Sequence, residues 1–335
     1  MRFLVSLKDM KIMKKLLLLV GFPLIFMAKH AMGQQDAQYS QYMFNGIYIN
    51  PAYAGYKEVL NVHSFYRSQW TGISGAPKSM SLAVDAIANS GNVGLALQVS
   101  SDKLGAQTNL AVYGNYAYRI RMNDDGSSRL ALGLGVGMVQ LGVDGSMLNP
   151  NDPEPFQPVG VQSTIVPDAR AGIYFANDRY YAGLSVDNLI ATYINIDRYA
   201  FIPQPKPHYY LTAGALLPIN EDFQVKPSFL LKDDRGGPTS LDINAFLLIK
   251  EFLWIGGSYR TGVKLYDKSY LQRDLTPRNS AVAAIQIFPS ERLRIGYGYD
   301  FSVGPLQGYS GGTHEISIAY SFIKPNVRIV TPRFF

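Results

Sequence analysis

The chain has 335 residues, of which 13% are aromatic and 17% are charged, and its formal net charge at pH 7 is +6. It contains no cysteine, which argues against a disulfide scaffold and excludes a lipid-anchoring cysteine behind an export signal. No run of roughly 18 consecutive apolar residues occurs, so a membrane-spanning helix is not expected.

Residues 1–33 are predicted to be a secretory signal peptide, with translation starting at either Met1 or Met13. A lysine pair precedes an apolar core over residues 16–27, and small residues at 31–33 provide a cleavage site. The segment contains six basic residues and one acid. The chain that remains after its removal is therefore nearly neutral, and no basic surface for nucleic acid is expected.

Residues 34–57 fit neither a helix nor a strand. In QYSQYMFNGIYINPAYAG, which begins at Gln38, apolar residues recur with the period of neither element, and Asn50-Pro51 predicts a turn. Aromatic rings supply contact area, while hydroxyl and amide groups satisfy a half-wet polar interior. We expect this segment to form a plug or a partner-docking surface. The residues predicted to bind a partner are Asn45, Tyr48, Asn50, Pro51, Tyr53 and Gly55.

Residues 58–323 are predicted to form an all-β protein, a transmembrane antiparallel barrel of about fourteen strands. In LRIGYGYDF (293–301) and EISIAYSF (315–322), large apolar side chains alternate with small or charged ones. A soluble β-sandwich would show the same alternation. The expected strands lie near 58–70, 76–87, 91–102, 105–121, 127–142, 167–176, 179–187, 207–218, 221–232, 238–249, 251–261, 279–288, 291–302 and 312–323.

The connections between these strands favour the barrel over the sandwich. Those after even-numbered strands are short and rich in turn residues, whereas those after odd-numbered strands are mostly longer. This asymmetry is typical of outer-membrane barrels and predicts that both chain termini lie in the periplasm. The connection from Asp144 to Pro167 contains five prolines. We expect it to be a stiff, extended loop suited to binding a partner chain.

Polar members of the alternation are expected to face the lumen. Both charge signs occur among them in similar number, which favours a charge-balanced network over a one-sign ion channel. The predicted lumen network consists of Arg67, Asp85, Arg260, Arg294, Asp300 and Glu315. Residues 324–335 contain two prolines and are expected to form a C-terminal extension rather than a further strand.

No catalytic, cofactor-binding or metal site is predicted. The histidines behind the signal lie on separate expected strands and lack the spacing of metal ligands; they are His63, His208 and His314. The residues alone therefore leave two non-enzymatic functions open. One is a component that holds partner proteins, and the other is a plugged or ligand-gated pore for small solutes.

Several stretches together resemble the PorP/SprF family of type IX secretion system membrane proteins of Bacteroidota. They include YSQYMFNGIYINPAYAG, RSQWTGISGAPKS, YYAGLSVDNLI, HYYLTAGALLPI, LRIGYGYDFS and THEISIAYSF. The resemblance runs in order from Gln38 to Phe322. Its most particular part is NPAYAG followed by RSQWTGISGAP.

This resemblance implies an outer-membrane barrel, surrounded by lipid, that works with the type IX translocon. The implied partners differ between branches of the family. In one branch they are the periplasmic ring and its peptidoglycan-binding partner, and in the other a large secreted adhesin that needs the barrel for export or surface attachment. The sequence does not assign the branch.

Overall fold

The structure is a computed structural model that describes residues 39–88, 91–148, 158, 160–194, 202, 205–268, 279–303 and 308–323. The predicted signal peptide, the first residues behind it and the predicted C-terminal extension at 324–335 fall outside these ranges. No helix within them is long and apolar enough to cross a membrane.

The described chain is built from antiparallel β-strands that form one sheet. The strands are β1 (Leu60–Ser68), β2 (Lys78–Ala88), β3 (Val93–Leu104), β4 (Gln107–Arg121), β5 (Arg129–Asp144), β6 (Val161–Ala176), β7 (Tyr180–Asp187), β8 (His208–Ala215), β9 (Leu217–Pro218), β10 (Phe223–Asp233), β11 (Thr239–Ile249), β12 (Leu253–Val263), β13 (Asn279–Ile287), β14 (Leu293–Val303) and β15 (Thr313–Phe322). The segments β8 and β9 both pair with β10 and are two pieces of one strand interrupted at Leu216. The described sheet therefore has fourteen strands.

The sheet closes on itself, because β1 pairs with β2 on one side and with β15 on the other. Every other strand likewise pairs with the strands next to it in sequence. Closure leaves no unpaired first or last strand, which is the condition for a sheet to cross lipid. The prediction of a transmembrane antiparallel barrel of about fourteen strands is confirmed.

The wall has a polar inner face and an apolar outer face. In β15, Glu315 and Ser317 are buried inside the barrel, whereas Ile316 and Ile318 are exposed on its outer surface. The same pattern recurs in β14, where Arg294 is buried and Ile295 is exposed. Exposed aliphatic side chains in regular alternation are suited to contact with lipid rather than water.

The prediction that residues 144–167 form one loop was wrong in its last part. Strand β6 begins at Val161 and pairs in register with β5, starting at the partners Asp144 and Val161. The expectation of a loop rested on the five prolines of this stretch, which favour a stiff, extended chain. Pro167, which has no backbone N–H to donate, is nevertheless accommodated in β6. At residue 167, β6 pairs with β5 on one side and with no described strand on the other.

Residues 39–57, here called the inner segment, lie inside the barrel in short helical turns. The turns are Tyr42–Phe44, Gly46–Tyr48 and Pro51–Tyr53. The Asn45 side chain accepts a hydrogen bond from the Ile47 N–H, and the Asn50 side chain accepts one from the Ala52 N–H. Asparagine is favoured at this capping position, so the sequence itself starts two of the turns. Each turn is too short to show helical periodicity.

Candidate functional site

A buried charge cluster ties the inner segment to the barrel wall. Arg67 of β1 contacts Asp300 at 2.6 Å and Glu315 at 3.0 Å, and Arg67 and Glu315 are direct partners across neighbouring strands. The two carboxylates outnumber the single guanidinium. Donors of the inner segment compensate, because the backbone N–H groups of Ser40 and Gln41 donate to Glu315 at 2.7 and 2.8 Å. The Ser40 hydroxyl also donates to Asp300 at 2.8 Å.

The other residues of the predicted lumen network lie in separate groups. Asn61 links two of them, donating to Asp85 at 3.0 Å and accepting from Arg294 at 2.9 Å. Arg260 forms two hydrogen bonds of 2.7 Å with Asp242. The structure thus brings Arg67, Asp300 and Glu315 together, whereas Arg260 pairs with Asp242 instead.

Two buried lysines donate to backbone carbonyls of the inner segment. Lys226 of β10 donates to the Met43 carbonyl at 2.7 Å, and Lys57 donates to the Phe44 carbonyl at 3.2 Å. The Lys226 ammonium also lies 5.5 Å from the ring centre of Phe44, within the range of a cation–π contact. Burial, reinforced by the nearby charge of Arg294, holds the pKa of the Lys57 amine well below its ordinary value.

Aromatic rings of the inner segment pack against rings of the wall. Tyr39 stacks on Phe65 at a centroid distance of 5.1 Å, and Tyr48 lies 5.0 Å from the same ring. Phe44 meets Phe246 edge to face at 5.2 Å. Burial raises the pKa of the segment's phenols above the ordinary value, so they stay neutral; the residues are Tyr39, Tyr42, Tyr48, Tyr53 and Tyr56.

Glycines in the wall provide room for the backbone of the inner segment. A Cβ atom added at Gly133 of β5 would overlap the backbone of Ala52, and one added at Gly94 of β3 would overlap the Ala54 carbonyl. Glycine inside a strand commonly marks such a close approach. In the sequence, LGLGVGM around Gly133 indicates a strand with one smooth face. The structure shows what packs on that face.

All six residues predicted to bind a partner lie in the inner segment and are buried. They are Asn45, Tyr48, Asn50, Pro51, Tyr53 and Gly55. A partner could reach them only if the inner segment moved, so their role in binding remains a prediction. Sequence analysis missed Ser40, Gln41 and Lys57, whose partners could not be read from any local pattern. In the Ser40 and Glu315 pair, for example, the two residues are 275 positions apart in the chain.

The space left around the inner segment is small. On the long-loop side, Tyr39, Tyr48 and Arg170 help to line a cavity of about 120 Å³. On the short-turn side, Glu58 and Arg119 help to line one of about 40 Å³. At this mouth Glu58 pairs with Arg119 at 2.8 Å and also contacts Arg129.

Replacing Asn50 with alanine is expected to lower the free energy of unfolding by about 2 kcal/mol. Asn50 caps the turn at Ala52 with a bond of 2.9 Å and donates to the Ile173 carbonyl of β6, also at 2.9 Å. The loss would be measured as a shift of the urea midpoint of the protein folded in lipid vesicles. Asn220→Ala is the control, since Asn220 makes two similar bonds in an exposed turn where water can replace them. Equal urea midpoints for the two variants would show that the hydrogen bonds of Asn50 do not stabilise the folded protein.

Comparison with solved structures finds distant similarities over most of the chain. The crystal structure of a Pseudomonas aeruginosa FadL homologue is 11% identical, covers 89% of this chain and 96% of its own, and gives a TM-score of 0.46. The CymD monoaromatic hydrocarbon channel is 10% identical, covers 88% of this chain and 97% of its own, and gives a TM-score of 0.49.

Comparison at the level of sequence families is more specific. No protein of curated function matches the chain. The model of the family described as type IX secretion system membrane protein PorP/SprF matches residues 31–320. The match spans the inner segment and nearly the whole barrel.

Proposed function

Because the chain belongs to the PorP/SprF family of type IX secretion system membrane proteins, we propose that it is a plugged, non-enzymatic scaffold in the outer membrane. It holds other secretion proteins at the two ends of the barrel. The partners are the periplasmic ring with its peptidoglycan-binding protein, or a large secreted adhesin awaiting export or surface attachment. The short turns, including those at Asn123 and Asn220, face the periplasm in this proposal.

The observation that carries the proposal is the occupied lumen. Side chains from β1, β10, β14 and β15 bond the inner segment at Ser40 and Met43. These bonds lie in a buried setting, where leaving polar groups unpaired would be costly. A barrel whose interior is filled in this way presents its ends, rather than a channel, to other molecules.

The second candidate is a ligand-gated pore. The cavity of about 120 Å³ on the long-loop side supports it, because polar and aromatic side chains line the space. Passage through the barrel would require displacement of the inner segment. The two proposals therefore differ in whether the intact protein conducts ions.

We expect the intact protein to be silent in a planar lipid bilayer and a variant lacking residues 39–57 to conduct. Removal of the inner segment takes away the buried rings of Phe44 and Tyr48 together with the carbonyls that Lys226 and Lys57 bond. The measurement is single-channel conductance after the barrel has been shown to be folded by its heat-dependent gel mobility.

Tyr193→Ala serves as a control, because this loop tyrosine is 85% exposed and its loss should leave the bilayer silent. Large, stable conductance from the intact protein would favour the pore. A folded deletion variant that stays silent would show that something other than the inner segment blocks the lumen. In parallel, co-purification from native membranes tests whether type IX secretion proteins remain bound to the barrel.

A further inference from the structure

Strand β6 has an edge that no described strand covers. It pairs with β5 along its whole length, from Val161 to Ala176, but with β7 only from Ala171 onward. Just beyond that point the Leu189 N–H donates to the Ala169 carbonyl at 3.0 Å. Within the described chain, residues 161–167 therefore have a strand neighbour on one side only. We call these residues the open edge.

The direction of the backbone groups follows from the contact at Ala169. In an antiparallel pair, the N–H and C=O of one residue point to the same side, and the side alternates along the strand. The Ala169 carbonyl points away from β5, and the register between β5 and β6 is unbroken. Hence Val161, Ser163 and Ile165 each turn an N–H and a C=O to the open side. Pro167 is oriented like these three residues. The N–H that proline lacks would therefore point to the open side, where no described strand needs it.

The open edge lies at the long-loop end of a strand that is longer than a bilayer requires. Strand β6 has 16 residues, whereas a tilted membrane strand needs roughly 9–11 and the neighbouring β7 has 8. The surplus lies at the long-loop end. There the outward side chains of Val161 and Ile165 are 76% and 62% exposed. Aliphatic side chains this exposed at the end of a barrel wall are favourable only where lipid or another chain covers them.

The composition of the open edge favours pairing rather than protection against it. Exposed edges in natural proteins commonly carry charges, a bulge or a covering loop that prevents another strand from adding. VQSTIVP, residues 161–167, contains no charged residue, its register has no bulge, and one proline stands at its lower end. Unpaired backbone groups beside apolar side chains are the surface to which an extended chain adds as a further strand.

The inner face of the strand that carries the open edge is packed against the barrel interior. On the inner face of the β5–β6 hairpin, Val166 is buried in a cluster with Val139, Leu141, Tyr113 and Ala191. The Asp168 carboxylate accepts a hydrogen bond from the Ala191 N–H at 3.0 Å, which fixes the chain around Ala191 beside β6. A strand held in place before binding loses little conformational freedom when it pairs.

We propose that the open edge is a docking site for an extended, uncharged segment of a partner polypeptide, which adds to β6 as a strand of about six residues. Val161 and Ile165 lie on the outer face of β6, so the partner residues beside them on that face, at alternate positions of the segment, are expected to be apolar. The added strand ends at Pro167, because the Leu189 N–H already occupies the open side of β6 at Ala169. The inference deepens the proposed scaffold function and rests on it, because it names the surface that holds a partner at the long-loop end.

The test compares two substitutions at one position in the full-length protein co-purified from native membranes. Ser163→Pro removes the outward N–H, whereas Ser163→Ala keeps it, and both remove the hydroxyl that accepts from Gln140. Ser163→Pro should leave the barrel folded, because the lost N–H is outside the β5 ladder. We expect Ser163→Pro to retain about tenfold less of one or more type IX secretion proteins, and Ser163→Ala to retain them fully.

Hydrogen exchange provides the second measurement. In the wild-type complex the amides of Val161, Ser163 and Ile165 should exchange at least about tenfold more slowly than in the isolated protein. Unchanged exchange, or equal retention by both variants, would overturn the docking site while leaving the scaffold function intact. Slow exchange of these amides in the isolated protein would show that another part of this chain occupies the edge. A dimer of the wild type that Ser163→Pro converts to a monomer would show that a second copy occupies it. A wild-type barrel that retains no secretion protein would overturn the scaffold function itself, and the docking site with it.

Discussion

Replacing Arg67 with alanine is expected to lower the free energy of unfolding by about 3–5 kcal/mol, the cost of breaking a buried ion pair by removing one partner. Arg67 is 2% exposed and contacts both Asp300 and Glu315. Without it, two carboxylates stay buried with only hydroxyl and N–H donors of Ser40 and Gln41. The decrease in the free energy of unfolding is measured by urea titration in lipid vesicles, with the fraction of folded protein read from the folded band on a gel.

Two further variants show whether the loss comes from uncompensated charge. Lys264→Ala breaks an ion pair with Asp267 whose side chains are 77% and 88% exposed, and it should leave the urea midpoint unchanged, because water replaces the contact. The triple variant Arg67→Met, Asp300→Asn and Glu315→Gln should recover most of the stability, because it leaves no buried charge in the cluster. If Arg67→Ala is as stable as Lys264→Ala, the cluster does not hold the inner segment.

Replacing Gly133 with valine is expected to displace the inner segment and to cost about 3 kcal/mol, at the upper end of the range for overpacked cores. The cost is high because the new side chain meets the backbone of Ala52 rather than a mobile side chain. Displacement of the inner segment also breaks the hydrogen bonds that Asn50 and Ser40 make on opposite sides of the barrel. Faster hydrogen exchange over residues 42–57 and a lowered urea midpoint would record the displacement.

The matched control is Gly114→Val on the neighbouring strand β4. Gly114 also lies in the middle of a strand, but it faces outward, and the nearest heavy atom to an added Cβ is 3.9 Å away. The control measures the intrinsic effect of valine for glycine in a strand, which is favourable or neutral. Similar exchange and midpoints for the two variants would rule out the close packing of Ala52 on Gly133.

Much of the fold could be predicted from short stretches of sequence. Side-chain alternation in LRIGYGYDF and EISIAYSF reports which face of a strand meets lipid, because neighbouring residues of a strand point to opposite faces. Short turns rich in Asn, Asp and Gly report where consecutive strands reverse. The start of β6 was missed, because the five prolines of residues 144–167 were taken to mark one stiff loop, whereas residues 161–166 pair with β5.

The sequence by itself thus determined a lipid-facing antiparallel barrel and its family, because both depend on local patterns and on the order of motifs along the chain. Only the tertiary structure decided how the inner segment is held. The bonds from Ser40 to Glu315 and from Asn50 to Ile173 join residues 275 and 123 positions apart. Such pairs exist only after the barrel has closed in one register, since a shift of one residue would turn Glu315 from the lumen to the lipid. The open edge of β6 also depends on the tertiary structure. It exists because β7 pairs with β6 only from Ala171 onward, whereas β5 pairs with β6 from Val161.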